Sequence, residues 1–284
     1  MKTGIDQGNY VSRYGWEQGL ERMRRHGYDT LDFQLFIDTD NELFRVDAPA
    51  FFKTLEGYAR LCRKHDVEIF QVHGPWRWPP VDFTPEDRAE RFEKMAKSIE
   101  GCAALGCGNY VIHPIMPFGD NANPDPEAFY RMNFEFMNRL VDVAERFDVT
   151  VCLENMPMTA LTLSTPQQIF DFVKDVDREK LKICFDTGHV AVFGLQPGEE
   201  LRKIEPGYVK VLHVHDNDGH RDLHWLPYFG VVDWKDFSRA LVETGFDGSV
   251  SLETGVPARI PEEVREPMEL ALAVIVREIA GLSC

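Results

Sequence analysis

The sequence predicts an α/β fold, a single (β/α)8 barrel over residues 1–284. Three observations predict it. Short β-rich runs alternate with longer helical patterns from end to end, eight units in 284 residues. No glycine-rich phosphate turn follows an early strand, as a doubly wound open sheet would be expected to show. The strand ends carry a series of polar side chains that a closed barrel would bring to one mouth.

The first strand is expected over residues 3–6, followed by a helix over 15–26. The second, 30–36, leads to a helix over 49–65, and the third, 68–73, to one over 84–105. Thr84-Pro85-Glu86-Asp87 starts that helix with a hydroxyl N-cap, a first-turn proline and acidic side chains. The fourth strand, 109–113, precedes a helix over 124–146. The fifth, 150–154, precedes one over 165–176, which Ser164-Thr165-Pro166 opens in the same manner. The last three strands, 182–186, 209–215 and 248–253, precede helices over 197–205, 233–244 and 261–281. Gly106, Gly245 and Gly248 fall where a helix gives way to a strand. Residues 115–125 and 216–232 are long loops after strands, where barrels keep their chemistry. No low-complexity segment or shift of composition marks a second domain.

Composition narrows the partners. With 44% apolar residues the chain can build a sizeable core. Its net charge of −16, from 31 basic and 47 acidic residues, repels a polyanion. The nearest thing to a basic cluster, Arg22, Arg24 and Arg25, falls on a surface helix, so no nucleic-acid partner is expected. The opening MKTGIDQGNY lacks the apolar segment of a secretion signal. The longest apolar run is far short of the roughly 20 residues a membrane span needs. Six cysteines, at 62, 102, 107, 152, 184 and 284, include no CxxC pair and are expected as free thiols in a reducing cytoplasm.

The strand ends carry the chemistry. From the third strand onward they read QVHGP with His73, YVIHP with His113, VCLEN with Glu154, ICFDTGH with Asp186 and His189, LHVHDND with His215, and VSLETG with Glu253. A lone histidine at such a place is more often structural, and Asp186 before Thr187 and Gly188 could simply cap a helix. Six strands in succession ending in metal-capable side chains is another matter. Burying that charge is costly unless it is paired or bound to metal, and a divalent cation is the simplest common explanation. Residues two positions earlier share the same face: Gln71, Val111, Cys152, Cys184, His213 and Ser251. They are expected to form the layer beneath, so His213 reads as a residue of that layer rather than a ligand. Asp216, Asn217 and Asp218 read as turn formers around Gly219, with His220 exposed.

Taken together, VHGPW, IHP, LENMP, FDTGHV, VHDNDG, DLH and LETG resemble the xylose-isomerase-like TIM barrels across nearly the whole chain. That superfamily includes ketose 3-epimerases, hydroxypyruvate isomerase, inosose-processing enzymes and the type-IV apurinic endonucleases. The resemblance implies that Glu154, Asp186, His215 and Glu253 hold one divalent cation, Mn²⁺, Mg²⁺, Co²⁺ or Zn²⁺. It further implies that Glu154 and Glu253 take and return a proton at a sugar carbon through a cis-enediolate. His189 and Arg221 would then contact substrate oxygens. A homo-oligomer acting on a small-molecule sugar is expected on the same ground.

The endonuclease branch holds three zinc ions, and the chain offers a residue for every ligand: His73, His113, Glu154, Asp186, His189, His215, Asp222, His224 and Glu253. Asp222 and His224 therefore have two readings, as supports of a one-metal isomerase or ligands of a three-metal nuclease. Charge favours the isomerase, and so do the aromatics of the strand-end loops. Trp76, Trp78, Phe118, Trp225, Tyr228 and Phe229, with Pro79 and Pro80, suit the walls of a closed sugar pocket, Trp76 and Trp225 foremost. The stretch WLPYFGVVDW is similar to HLPPGxGxIDW of the sugar isomerases but departs at Phe229 and lacks the second glycine. An inosose dehydratase would use the same metal site, whereas a barrel that only binds metal would not need both glutamates. With no lysine or arginine nest, an unphosphorylated substrate is expected.

Overall fold

The computed structural model describes residues 1–282; Cys284 lies outside them. Eight strands run in parallel: β1 (Lys2–Asp6), β2 (Thr30–Phe33), β3 (Glu68–His73), β4 (Asn109–Ile112), β5 (Thr150–Glu154), β6 (Leu181–Asp186), β7 (Val209–His213) and β8 (Ser249–Leu252). They pair in the order β7-β6-β5-β4-β3-β2-β1-β8. The two ends of this sheet meet through a single bridge between Val214 and Leu252, where Val214 donates to Ser251 and Glu253 donates back to Val214. The sheet is thereby a nearly closed barrel.

Nine helices cover it among the described residues: α1 (Gly8–His26), α2 (Ala48–Lys64), α3 (Pro85–Ala104), α4 (Pro126–Arg146), α5 (Pro166–Val176), α6 (Thr187–Val192), α7 (Pro197–Lys203), α8 (Trp234–Glu243) and α9 (Glu262–Ile279). Thr84 and Thr165 each close a reciprocal capping box, with Asp87 and Gln168 reaching back to the cap backbone. Several boundaries differ from expectation. Helix α1 starts at Gly8 rather than at residue 15, with non-helical backbone at Gly15. Strand β2 stops at Phe33, because residues 34–37 turn away. The β7 ladder stops at His213. The short α6 follows β6 at once, its six residues offering too little periodicity to read from sequence.

Alternation divides the core in two. Side chains facing the helices, among them Leu31, Tyr110, Val151, Phe185 and Leu212, join one large cluster. Val111, Cys152, Cys184 and Val211 form a small separate cluster with Phe70, the apolar part of the barrel interior. The described cysteines, Cys62, Cys102, Cys107, Cys152 and Cys184, are free and buried.

The long loop after β7 hangs on one carboxylate. Asp216 is fully buried rather than a surface turn former. It accepts hydrogen bonds from the backbone N–H groups of Asn217, Gly230 and Val232 and from Trp234 Nε1, at 2.8–3.2 Å. Its backbone pairs with Trp225 in both directions. Gly230 lies so close that a Cβ there would meet Asn217 O at 2.0 Å. Asp216→Ala strands these buried donors and is expected to cost about 3 kcal/mol, measured by urea unfolding.

Candidate metal centre and active site

All the strand-end residues converge on one mouth. A cavity of about 460 Å³ is lined by His73, His113, Glu154, His189, Asp222, His224 and Glu253 below and by Ile37, Trp76, Trp78, Met156, Pro157 and Met158 around them. Five groups have ligand atoms within 4.8 Å of one another, among them His73, His113 and Glu154; Glu154, Asp186, His213 and Glu253; and His189, His215, Asp222 and His224, so that the expected quartet is divided, with His213 rather than His215 beside its three carboxylates. Every residue expected as a metal ligand is in one of them.

Asp186 has two tasks. One oxygen caps α6 by accepting the His189 N–H at 2.6 Å, and the other faces His215 Nε2 at 3.0 Å. The capping reading therefore holds, and the same carboxylate also faces the barrel mouth. Gly188 makes room for the imidazole, since a Cβ there would fall 1.9 Å from the His215 ring. The His215 ring stacks on that of His224 at 4.0 Å between centroids. His224 adopts a positive φ of 47° as the loop turns over the mouth.

The hydrogen bonds of the imidazoles share a pattern. His73, His189, His215 and His224 each place Nδ1 against a main-chain carbonyl, of Gly74, Asn155, Asp216 and Glu253, at 2.7–3.5 Å. Donation by Nδ1–H assigns the tautomer and turns the Nε2 lone pair inwards. Each Nε2 then faces a carboxylate: Glu154 at 3.6 Å, Asp222 at 3.4 Å, Asp186 at 3.0 Å and Asp222 at 3.3 Å respectively. Lone pair opposed to lone pair is repulsive unless a proton or a cation lies between them. The donor set of imidazole nitrogens and carboxylate oxygens fits a divalent ion such as zinc or manganese. His113, buried and with its Nδ1 unpartnered, points Nε2 at Glu154 from 2.9 Å.

Without a cation, protons do the bridging. Burial opposes charge on His189, but Asp186, Asp222 and Glu154 outweigh it and hold the ring protonated well above its ordinary range. Burial likewise works against His224, yet Asp222 and Glu253 push it up to about 10. Burial wins at His113, which falls to about 4. The two glutamates move apart. Burial raises Glu253, whereas at Glu154 the burial penalty is overcome by His213 and His113, which hold it well below the usual range.

Several placements differ from the sequence reading. His213 was expected a layer below the mouth, but barrel stagger pairs it level with Asp186, while Glu154 sits level with Cys184. Its Nδ1 consequently reaches Glu154 at 2.8 Å and Glu253 at 3.2 Å. Arg221, expected at substrate, is turned outwards; its guanidinium binds Asp218 and its side chain is 70% exposed. Trp225, expected as a pocket wall, lies outside the cavity lining with its backbone tied to Asp216. Trp76 does line the cavity and meets the His113 ring edge-on at 4.4 Å. Tyr228 and Phe229 are exposed.

Two buried residues escaped the sequence reading. Asp6 ends β1, bound by Asn9 and pushed up to about 7 by burial and then by Asp32 and Glu253. Asp32, on β2, lies 3.2 Å from His213 Nε2. The strand-end rule applied to the first strand would have found Asp6; Asp32 was hidden, because β2 was expected to run to residue 36 and stops at Phe33.

Comparison with known proteins agrees with this architecture. Residues 20–273 match the family described as xylose isomerase-like TIM barrel. The chain belongs to that family. Among its relatives is an uncharacterized protein of Methanocaldococcus jannaschii, 31% identical and covering 71% of this chain and 69% of its own. An inosose isomerase of Bacillus velezensis is 25% identical over 89% and 88%. A probable endonuclease 4 of Acholeplasma laidlawii is 24% identical over 68% and 70%. A solved D-tagatose 3-epimerase-like protein superposes with a TM-score of 0.75 at 26% identity, covering 98% of this chain and 99% of that one. The IolI protein, solved with a zinc atom, gives 0.78 at 20% identity over 99% and 98%, a likeness of fold. No helix among the described residues is long and apolar enough to cross a membrane.

The His224–Asp222 pair gives a pH signature. The folded pKa of His224, about 10, lies above its ordinary value of 6.5. The stabilisation is therefore complete below pH 6.5 and lost as pH rises towards 10. In chelator-treated protein, the fall in melting temperature from pH 7 to 10 is expected to be shallower for Asp222→Asn than for the parent, read by calorimetry.

Proposed function

We propose that the protein is a divalent-metal-dependent isomerase or epimerase of an unphosphorylated sugar or related keto-polyol. The observation that carries this reading is the inward set of Nε2 lone pairs facing carboxylates beneath a small cavity. His213 lies in reach of Glu154, Asp186 and Glu253, and His215 faces Asp186 at 3.0 Å; of the two, His215 suits a ligand better. Its Nδ1 faces the Asp216 carbonyl, which leaves Nε2 free to bind. His213 has carboxylates at both nitrogens. Glu154, Asp186, His215 and Glu253 would therefore hold the cation, and a bound cation would supply Lewis acidity to a substrate carbonyl oxygen.

The chain's own groups do the rest. Glu154, ionised, removes a proton from the carbon beside the carbonyl, and Glu253 returns one. Ile37, Trp76, Trp78, Met156 and Met158 cover the reacting carbon and limit water. No lysine or arginine lines the cavity, which favours a neutral substrate over a phosphorylated one. The inosose isomerase and epimerase-like relatives act in the same direction as support.

A three-zinc phosphodiesterase is the second reading. The gathering of all nine candidate ligands favours it. A net charge of −16 and a cavity without basic residues oppose it, because a DNA backbone needs several phosphates neutralised.

Metal analysis of purified protein is expected to return about one divalent ion per chain; three tightly held zinc ions, with nicking of abasic DNA, would overturn the isomerase reading. Glu154→Gln and Glu253→Gln are each expected to lower solvent-proton exchange into sugar substrate by at least about 100-fold, followed by NMR in deuterated water, while a cation still binds. Exchange that survives in both variants removes the acid–base assignment.

A further inference from the structure

The polar side chains of the barrel interior are gathered on one side. Towards β4, β5 and β6 the interior is Val111, Cys152 and Cys184, packed with Val211. On the other side Asp32, Gln71 and His213 lie together, each no more than 1% exposed. Gln71 Nε2 donates to Asp32 Oδ2 at 3.2 Å and to the Leu212 carbonyl at 3.4 Å, next to His213 in the chain. Asp32 Oδ2 stands 3.2 Å from His213 Nε2. The opposite nitrogen, Nδ1, faces both glutamates, 2.8 Å from Glu154 Oε1 and 3.2 Å from Glu253 Oε2. The ring also lies parallel to that of His73, 5.6 Å away.

Such a group is an expensive way to fill a core. Asp32 Oδ1, Gln71 Oε1 and His213 Nε2 have no hydrogen-bond partner, and buried polar atoms without one destabilise a fold. Apolar residues of similar volume would pack as well, as they do across the barrel. What the group achieves instead is geometric: one imidazole nitrogen reaches carboxylates from two strands, β5 and the end of β8, that are not neighbours in the sheet.

We propose that His213, set beside Asp32, is a positioning residue that ties the Glu154 and Glu253 carboxylates together and sets their spacing across the reacting carbon. The role in catalysis rests on the reading that these two glutamates move the proton; the tie itself does not. Asp32 faces the other nitrogen of the ring and Gln71 holds Asp32; neither lines the cavity.

His213→Leu removes the tie with little change of volume, and His213→Asn restores a donor near the place of Nδ1. For solvent-proton exchange, His213→Leu is expected to lower kcat about 100-fold, the scale of a 1 Å misplacement, with KM changed less than about threefold. His213→Asn should recover about tenfold of that loss. Crystal structures should show the two carboxylates displaced or in several rotamers in His213→Leu and returned to their places in His213→Asn. A folded His213→Leu with kcat near the parent's, or with both carboxylates unmoved, overturns the proposal. If His213→Leu does not fold, the isosteric Asp32→Asn decides: about a tenfold fall in kcat at constant KM supports the tie, and parental kcat overturns it. If the parent exchanges no sugar proton, the proposed function fails, and the carboxylate positions in whichever variant folds still judge the tie.

Discussion

In the mouth of this barrel, imidazole lone pairs and carboxylate oxygens face one another around one cavity. The main-chain carbonyls behind the rings turn Nε2 of His73, His189, His215 and His224 inwards, and Glu154, Asp186 and Asp222 stand opposite. Such an arrangement persists only if something positive lies between the two sets. Protons can serve, and the raised affinity of His189 and His224 for protons is that solution. A divalent cation is the other, and it exchanges several soft proton bridges for one fixed centre.

The rest of the fold is organised to keep these groups in place. Gly188 brings the start of α6 against the His215 ring, and Thr187 holds the His215 backbone, accepting its N–H at 3.0 Å and donating to its carbonyl at 2.8 Å. Asp82 and Arg91 brace another edge: Arg91 donates to Asp82 and to the His113 carbonyl, and Asp82 accepts from Met116 N–H. The loop that brings Asp222 and His224 over the mouth depends on Asp216. A polar centre thus draws its rigidity from further buried polar groups that bind backbone.

Much of this was legible in the sequence for a simple physical reason. Glu or Asp at the end of an apolar strand has few affordable explanations, so VCLEN, ICFDTGH and VSLETG stand out. Barrel stagger was not legible. Alternation tells which face His213 shares, but only the strand register shows that it lies level with Asp186. Asp32 was hidden because β2 was expected to run to residue 36 and stops at Phe33. Arg221 and Trp225 depend on how a long loop folds, and that follows from Asp216, one of three acidic or amide residues in a row that look alike on the page.

The closing seam of the barrel gives the centre a second meaning. Strands β7 and β8 meet through the Val214–Leu252 bridge rather than a full ladder. Val214 is flanked by His213 and His215, and the next residue after Leu252 is Glu253. A cation held between His215 and Glu253 would span the seam like a clasp, adding cohesion at the one place where the hydrogen-bonded wall is thinnest. Opening of the barrel and departure of the ion would then be a single event, and the weakest join in the scaffold would be guarded by its own ligand.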